Sequence, residues 1–352
     1  MISCGENHKE IKSNIELAHQ VLFGSGEDGA TCYRIPALVT ATDGDLILAV
    51  DQRVPSCNDL RGNDNINIAV RRSTDNGSTW SPIEIIIDPP TGKSASDPSM
   101  IVDLITNEIF LFYNYMDLEE EKNVYYHHVI RSDDNGASWS DPEDITKQIS
   151  KPGWHHDFKF ITSGRGIQTA DGTLLHCLVH LEEGVQLFGS RDHGQSWTMI
   201  GSAVAPADES KLAQLGDGRW MINSRVRDAG IRYIHISEDQ GENWISFADS
   251  SLIDPACNAS LISYSGLEQG HDKPVLLFSN AADSHQRSNM TIKYSLDGGD
   301  SWSAGKTIYS GSSAYSSMTI LRNGDIGLAF EKDDYSKIVF TRVPLEWIIR
   351  DH

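Results

Sequence analysis

STDNGSTW, residues Ser73 to Trp80, returns as SDDNGASW from Ser132, SRDHGQSW from Ser190, SEDQGENW from Ser237 and SLDGGDSW from Ser295. Every copy follows S-x-D-x-G-x-[ST]-W, except that Asn243 replaces Ser or Thr in the fourth, which is expected to be a weaker version. The Asp bonds the backbone of its own turn, the Gly accepts a positive φ, and the Trp anchors an outer strand against its own unit. Metal binding by these aspartates would require convergence in space, and copies on separate units point apart, so they read as structural turns.

The repeated tryptophans fall at 80, 139, 197, 244 and 302, spaced 59, 58, 47 and 58 residues apart. That period suits a four-stranded propeller blade better than a helical repeat. Between the turns the chain alternates β-branched and aromatic residues, as in NINIAVRRS and NVYYHHVIRS, and shows little helical periodicity. Six strand–turn–strand units can be counted, from YRIPALVTATDGDLILAV to YSSMTILRNGDIGLAF, most of them turning at Asp-Gly or Asn-Gly, the dipeptides that favour tight hairpins. The last unit lacks a Trp turn, and the N-terminal IELAHQVLF can supply its missing strand. The expected fold is therefore all-β: a six-bladed β-propeller with four-stranded antiparallel blades and a ring closed by both termini. A tail over 1–14 would precede one catalytic domain over 15–352.

The 352 residues carry 29 Lys plus Arg against 50 Asp plus Glu, a net charge of -21, which disfavours nucleic acid as a partner. A small anionic substrate remains compatible with that charge, because a few converging arginines set the local field. The five widely spaced cysteines contain no CxxC and are expected to be free thiols, with no zinc site. No apolar run is long enough for a membrane span and the first residues do not form a signal peptide. Localisation reads as soluble, either cytoplasmic or secreted with a presequence absent from this chain.

In a propeller the inner strands line a channel, and ligand groups come from strand ends at one face. Matched positions at the starts of first strands hold Arg34, Asp97, Arg165, Glu209, Asn258 and Tyr315; those at the ends of second strands include Arg53, Arg225 and Glu331. YRIPAL at Tyr33–Leu38 and the five Asp-box turns resemble the sialidase (neuraminidase) superfamily, in particular its compact bacterial exo-α-sialidases. The resemblance covers nearly the whole chain.

By that resemblance, Arg34, Arg225 and Arg287 form the triad that grips a sugar carboxylate, with Arg232 as the rival for the third place. Guanidinium forks match a carboxylate bidentately and stay charged. Arg53 and Asp97 are placed near the sugar's O4 and N-acyl side, and Glu331 orients Arg34. Tyr315 resembles the nucleophile and Glu209 the carboxylate that takes its proton; a neutral phenol avoids the repulsion a carboxylate would meet beside an anionic substrate. Asp59, six residues beyond Arg53, is preferred over Asp64 as acid/base. Arg165 and the stretch from Trp154 to Asp157 are expected to reshape the glycerol or N-acyl side of the pocket.

The resemblance implies a retaining exo-α-sialidase acting on terminal sialic acids of glycoproteins, glycolipids or oligosaccharides, without cofactor or metal. Trans-sialidase or intramolecular trans-sialidase chemistry would use the same groups, and a non-catalytic sialoglycan-binding propeller is the alternative of another class. Linkage preference and oligomeric state are not legible.

Overall fold

The computed structural model describes residues 17–264 and 274–350; the expected 1–14 tail lies outside them. Four discrete blades come first. The first is the meander Cys32–Thr40, Leu46–Arg53, Ile66–Ser73 and Glu84–Ile87. The second contains Lys93–Val102, Ile109–Asp117, Tyr126–Ser132 and Glu143–Asp144. The third is built on Lys159–Ile161, Leu174–His180, Gly184–Ser190 and Thr198–Val204, and the fourth on Ser210–Gln214, Trp220–Ser224, Ile231–Ser237 and Ile245–Ile253. The second strands Leu46–Arg53 and Leu174–His180 are buried along their whole length. Covered on both faces, such strands read as continuous apolar runs rather than as alternation.

The expectation of six separate blades is corrected here: four four-stranded propeller blades are discrete, and the remaining strands form one continuous seven-stranded sheet. Its central element is the 15-residue strand Lys306–Ile320. Residues 306–312 of that strand pair with Ser288–Ser295, and residues 313–320 pair with Ile326–Lys332. KTIYSGSSAYSSMTI contains no Pro and no Asx-Gly turn, so nothing breaks the strand where one unit was expected to end and the next to begin. At the far edge of this sheet, Gln20–Gly24 pairs antiparallel with Lys337–Val343.

A second departure lies in the third unit. Gly164–Arg165 leaves its own blade and adds parallel to Lys93–Val102 of the second, while Ile167–Gln168 returns to Leu174–His180. Arg165 thus does not begin an inner strand equivalent to the one carrying Arg34.

The five turns are closed by one hydrogen-bond set. In the first, Thr79 donates to Asp75 from both its amide (2.8 Å) and its hydroxyl (2.6 Å), and the Gly77 amide donates to Ser73 Oγ at 2.9 Å. The fourth copy is not weaker in bonding: the Asn243 amide side chain donates to Asp239 Oδ2 at 2.7 Å, replacing the missing hydroxyl. The tryptophans also reach beyond their own units. Trp197 of the third blade lies edge-on to Phe110 and Phe112 of the second, at 5.5 and 4.9 Å, and Trp80 of the first meets Phe340 of the seven-stranded sheet at 5.1 Å. The turns therefore join neighbouring sheets as well as closing hairpins, with each aromatic pair adding about 0.5–1.5 kcal/mol beyond its buried area.

Gly194 tests that role. Its φ is +77° and an added Cβ would come within 2.3 Å of the Phe110 ring, whereas at Gly218, φ +92°, an added Cβ meets nothing within 4 Å. Gly218→Ala is expected to cost about 1 kcal/mol through backbone strain alone. Gly194→Ala should cost about 3 kcal/mol once the clash with the neighbouring blade is included. Urea melts of both variants check this, and equal losses would remove the inter-blade role.

Cys32 and Cys57 form a disulfide with a Cα–Cα distance of 5.8 Å, correcting the expectation of free thiols throughout. Hairpin register places Cys32 opposite Arg53, and the five residues from Arg53 to Cys57 fold back across the strand end. Cys177 and Cys257 are free and buried; Cys4 lies outside the described residues.

Candidate active site

Three inner strands are irregular at the same level of the channel. Pairing register slips between Arg34 and Ala37, between Ser96 and Ser99, and between Ser313 and Ser316. Bulges re-aim side chains, and these deliver Arg34, Asp97 and Tyr315 to one cavity of about 670 Å³. Backbone strain accompanies them: Ile35 and Asp97 have φ of 62° and 60°, a conformation that costs a β-branched residue on the order of 1–3 kcal/mol.

Seven of the nine candidate residues line this cavity: Arg34, Asp59, Asp97, Glu209, Arg225, Arg287 and Tyr315. Arg53 and Glu331 are fully buried behind it. Glu331 accepts from Arg34 Nε at 2.6 Å, from the Ile35 amide at 2.9 Å and from the Tyr315 amide at 3.1 Å. One carboxylate thereby fixes the Arg34 fork and ties the Arg34 strand to the Tyr315 strand. Burial by itself lowers the Arg34 pKa, but the Glu331 charge and hydrogen bond outweigh it and hold the guanidinium above its usual range.

The Tyr315 hydroxyl lies 2.8 Å from both Glu209 oxygens. Arg225 Nη1 contacts Glu209 Oε2 at 2.5 Å and donates to the Tyr315 oxygen at 3.3 Å. Burial, followed by the Glu209 charge, pushes the phenol well above its ordinary pKa, so the resting tyrosine is neutral. Its oxygen already has an acceptor for its proton and a cation beside it. Arg287 donates to the Ala256 carbonyl at 2.9 Å and the Tyr335 oxygen at 3.3 Å. Neither partner is a carboxylate, so Arg287 keeps its charge available to a ligand. The rival Arg232 is fully buried and spends its donors on Asn223, Asp254 and the Cys257 carbonyl.

Asp59 stands at the rim with its side chain 86 % exposed, 2.7 Å from Arg53 Nη1. Arg53 is held from behind by Asp51 at 2.8 Å. Partial burial raises the Asp59 pKa, but Arg53, Arg34 and Arg287 together draw it below the usual carboxylate range. Asp97 behaves oppositely: burial and then the Asp51 charge push it well above, favouring its neutral form. Asp64 is exposed and outside the cavity lining.

Arg165 does not reach this cavity, and neither does the stretch Trp154 to Asp157. Trp154 is buried, stacked on His180 at 4.5 Å and donating to Glu183 Oε1 at 2.8 Å. Tyr125, Phe158 and Phe160 form an aromatic wall of the cavity instead, which sequence reasoning missed. Asp208 was also missed; its Oδ2 accepts from Arg225 at 2.7 Å and Arg227 at 3.1 Å. Asp51 had a readable signal, since residues two apart on a strand share a face and Arg53 is two residues on.

On a propeller, a cavity combining three arginines, a Tyr–Glu pair and a rim aspartate has the charge to hold an anion and a phenol whose proton already has an acceptor. Comparison with known proteins agrees. A family model described as a BNR repeat-like domain matches residues 59–328. The chain is 35% identical over 356 residues to a sialidase of Micromonospora viridifaciens, covering 94% of this chain and 54% of that protein. It is 29% identical to a sialidase of Bacteroides fragilis, covering 98% and 67%. Among solved structures, Hadza microbial sialidase Hz136 superposes with a TM-score of 0.85 at 30% identity, over 94% of this chain and 69% of that one. The chain belongs to the BNR-repeat sialidase superfamily, a family of glycoside hydrolases, and spans about half the length of the Micromonospora relative.

Proposed function

We propose that the protein is a retaining exo-α-sialidase that releases terminal α-linked sialic acids from glycoconjugates. The observation that carries this reading is the Tyr315 hydroxyl at 2.8 Å from both oxygens of Glu209, beside Arg34, Arg225 and Arg287 in one cavity. The three arginines bind the substrate carboxylate. Asp59 gives its proton to the glycosidic oxygen as the C2–O bond breaks, while Tyr315 attacks C2 and passes its proton to Glu209. A water molecule then loses a proton to Asp59 and displaces the tyrosine, which recovers its own proton from Glu209. Two displacements at C2 give net retention. Asp97 contacts the O4 and N-acyl side, Arg53, buried behind the cavity rather than in contact with the sugar, positions Asp59, and Glu331 positions Arg34.

Proton NMR of 3′- and 6′-sialyllactose turnover tests the reading. The α anomer of free sialic acid is expected first, equilibrating to β only later. Initial β anomer, an anhydro sugar, sialic acid transferred to an added acceptor, or no turnover of either isomer would overturn it.

A further inference from the structure

The inner strands carry a second cavity at their other ends. Cys32–Thr40 gives Arg34 to the first cavity and Thr40 to the second, and Lys306–Ile320 gives Tyr315 to the first and Thr319 to the second. The same division holds for Glu209 and Gln214 along the fourth blade's inner edge. Between these ends the buried Lys211 amine donates to the Ser163 carbonyl. The second cavity, about 650 Å³, thus opens at the opposite mouth of the channel and has the size of a small-molecule site.

Among the described residues, its one charged lining residue is Arg165. Arg165 Nη1 donates to the Met318 carbonyl at 3.3 Å, and its buried Nε has no partner among the described residues. No carboxylate among the described residues forms an ion pair with it, whereas Arg34, Arg53 and Arg225 each have one. Burial accordingly pulls the Arg165 pKa down with nothing opposing it, while those three are raised. An enclosed cation without a counter-charge among the described residues is costly, and this one lines the second cavity. The surrounding wall is mixed: Leu104, Ile167 and Leu261 are apolar, and Gln214 and Thr319 add polar groups.

We propose that this far-mouth cavity is a second binding site, for a small organic carboxylate whose charge pairs with Arg165 and whose apolar body lies on Leu104, Ile167 and Leu261. A single lining guanidinium that makes no ion pair with a described carboxylate suits one ligand carboxylate, and the apolar wall favours a carbon skeleton over a bare inorganic anion. The site is independent of the catalytic reading, since none of its lining residues belongs to the first cavity.

Crystals of the full chain soaked in 4-bromobenzoate or in neutral 4-bromobenzamide test it, with anomalous scattering locating the bromine. Bromine is expected at the far mouth with the carboxylate, and affinity there should fall about tenfold or more for the amide and for Arg165→Met, the usual effect of losing a charged hydrogen-bonded pair. No bromine at that mouth in the wild-type soak, or equal occupancy with the amide or in Arg165→Met, overturns the site. If Arg165→Met does not fold, the acid and amide soaks of the wild-type protein decide the question.

Discussion

Tyr315→Phe is expected to lower kcat on sialyllactose by on the order of a thousandfold or more, because it removes the attacking oxygen and leaves no other nucleophile poised at that position. The fold should be preserved. The ring sits among Ile35, Cys257, Ala281 and Ala314, and phenylalanine keeps those contacts. Glu209 does not become an unpaired buried charge, since Arg225 remains 2.5 Å away. A melting temperature close to wild type together with a collapsed kcat is the expected pair of results. Wild-type kcat would remove Tyr315 from the mechanism, whereas a large fall in melting temperature would make the kinetic loss structural.

Asp59→Ala should separate substrates by their leaving groups. General acid help matters most for a basic alkoxide, so sialyllactose turnover should fall by about 10²–10⁴-fold, while an aryl sialoside, whose phenolate departs with little protonation, should lose far less. Stability should barely move, because the Asp59 side chain is mostly exposed and Asp51 still neutralises Arg53, and exposed ion pairs contribute little. Asp64→Ala, outside the cavity, should not discriminate between the substrates. Equal losses on both substrates for Asp59→Ala would transfer the proton to another group.

The electrostatics add a pH signature. Arg34 and Arg287 are among the charges that depress Asp59 in the free protein, and in the proposed mechanism both pair with the substrate carboxylate. Binding then neutralises part of the field that keeps Asp59 ionised, so its pKa rises toward the protonated form required for catalysis. The limb governed by Asp59 should therefore appear at higher pH in kcat, which reports the complex, than in kcat/KM, which reports the free enzyme. Coincident limbs would contradict the coupling.

How much of this could be read without coordinates depends on the range of the interaction. The Asp-box turns were legible because Ser73, Asp75, Gly77 and Thr79 satisfy one another within seven residues of chain. Even the Asn243 exception kept the same bond. Asp59, preferred as acid/base for its six-residue separation from Arg53, meets that arginine at 2.7 Å, a contact the sequence did not announce. Glu331 and Arg34, far apart in the chain, were joined only through the family resemblance, yet they meet at 2.6 Å. By contrast, the passage of Lys306–Ile320 through two pairings, the Cys32–Cys57 bridge and the aromatic wall of Tyr125, Phe158 and Phe160 left no local signal. Each depends on which distant strands come to lie side by side.

Arg165 shows the limit most clearly. Its place in the repeat suggested an active-site residue, but Gly164–Arg165 pairs in parallel with the neighbouring blade and its guanidinium faces the opposite mouth. The sequence by itself determined the turns and the β class, because hydrogen bonds a few residues apart do not depend on distant packing, and its family resemblance named the residues proposed here to bind and cleave an anionic sugar. Only the tertiary structure decided how the strands group into sheets and which end of the channel each side chain enters, because pairing register and bulges between remote segments set those directions.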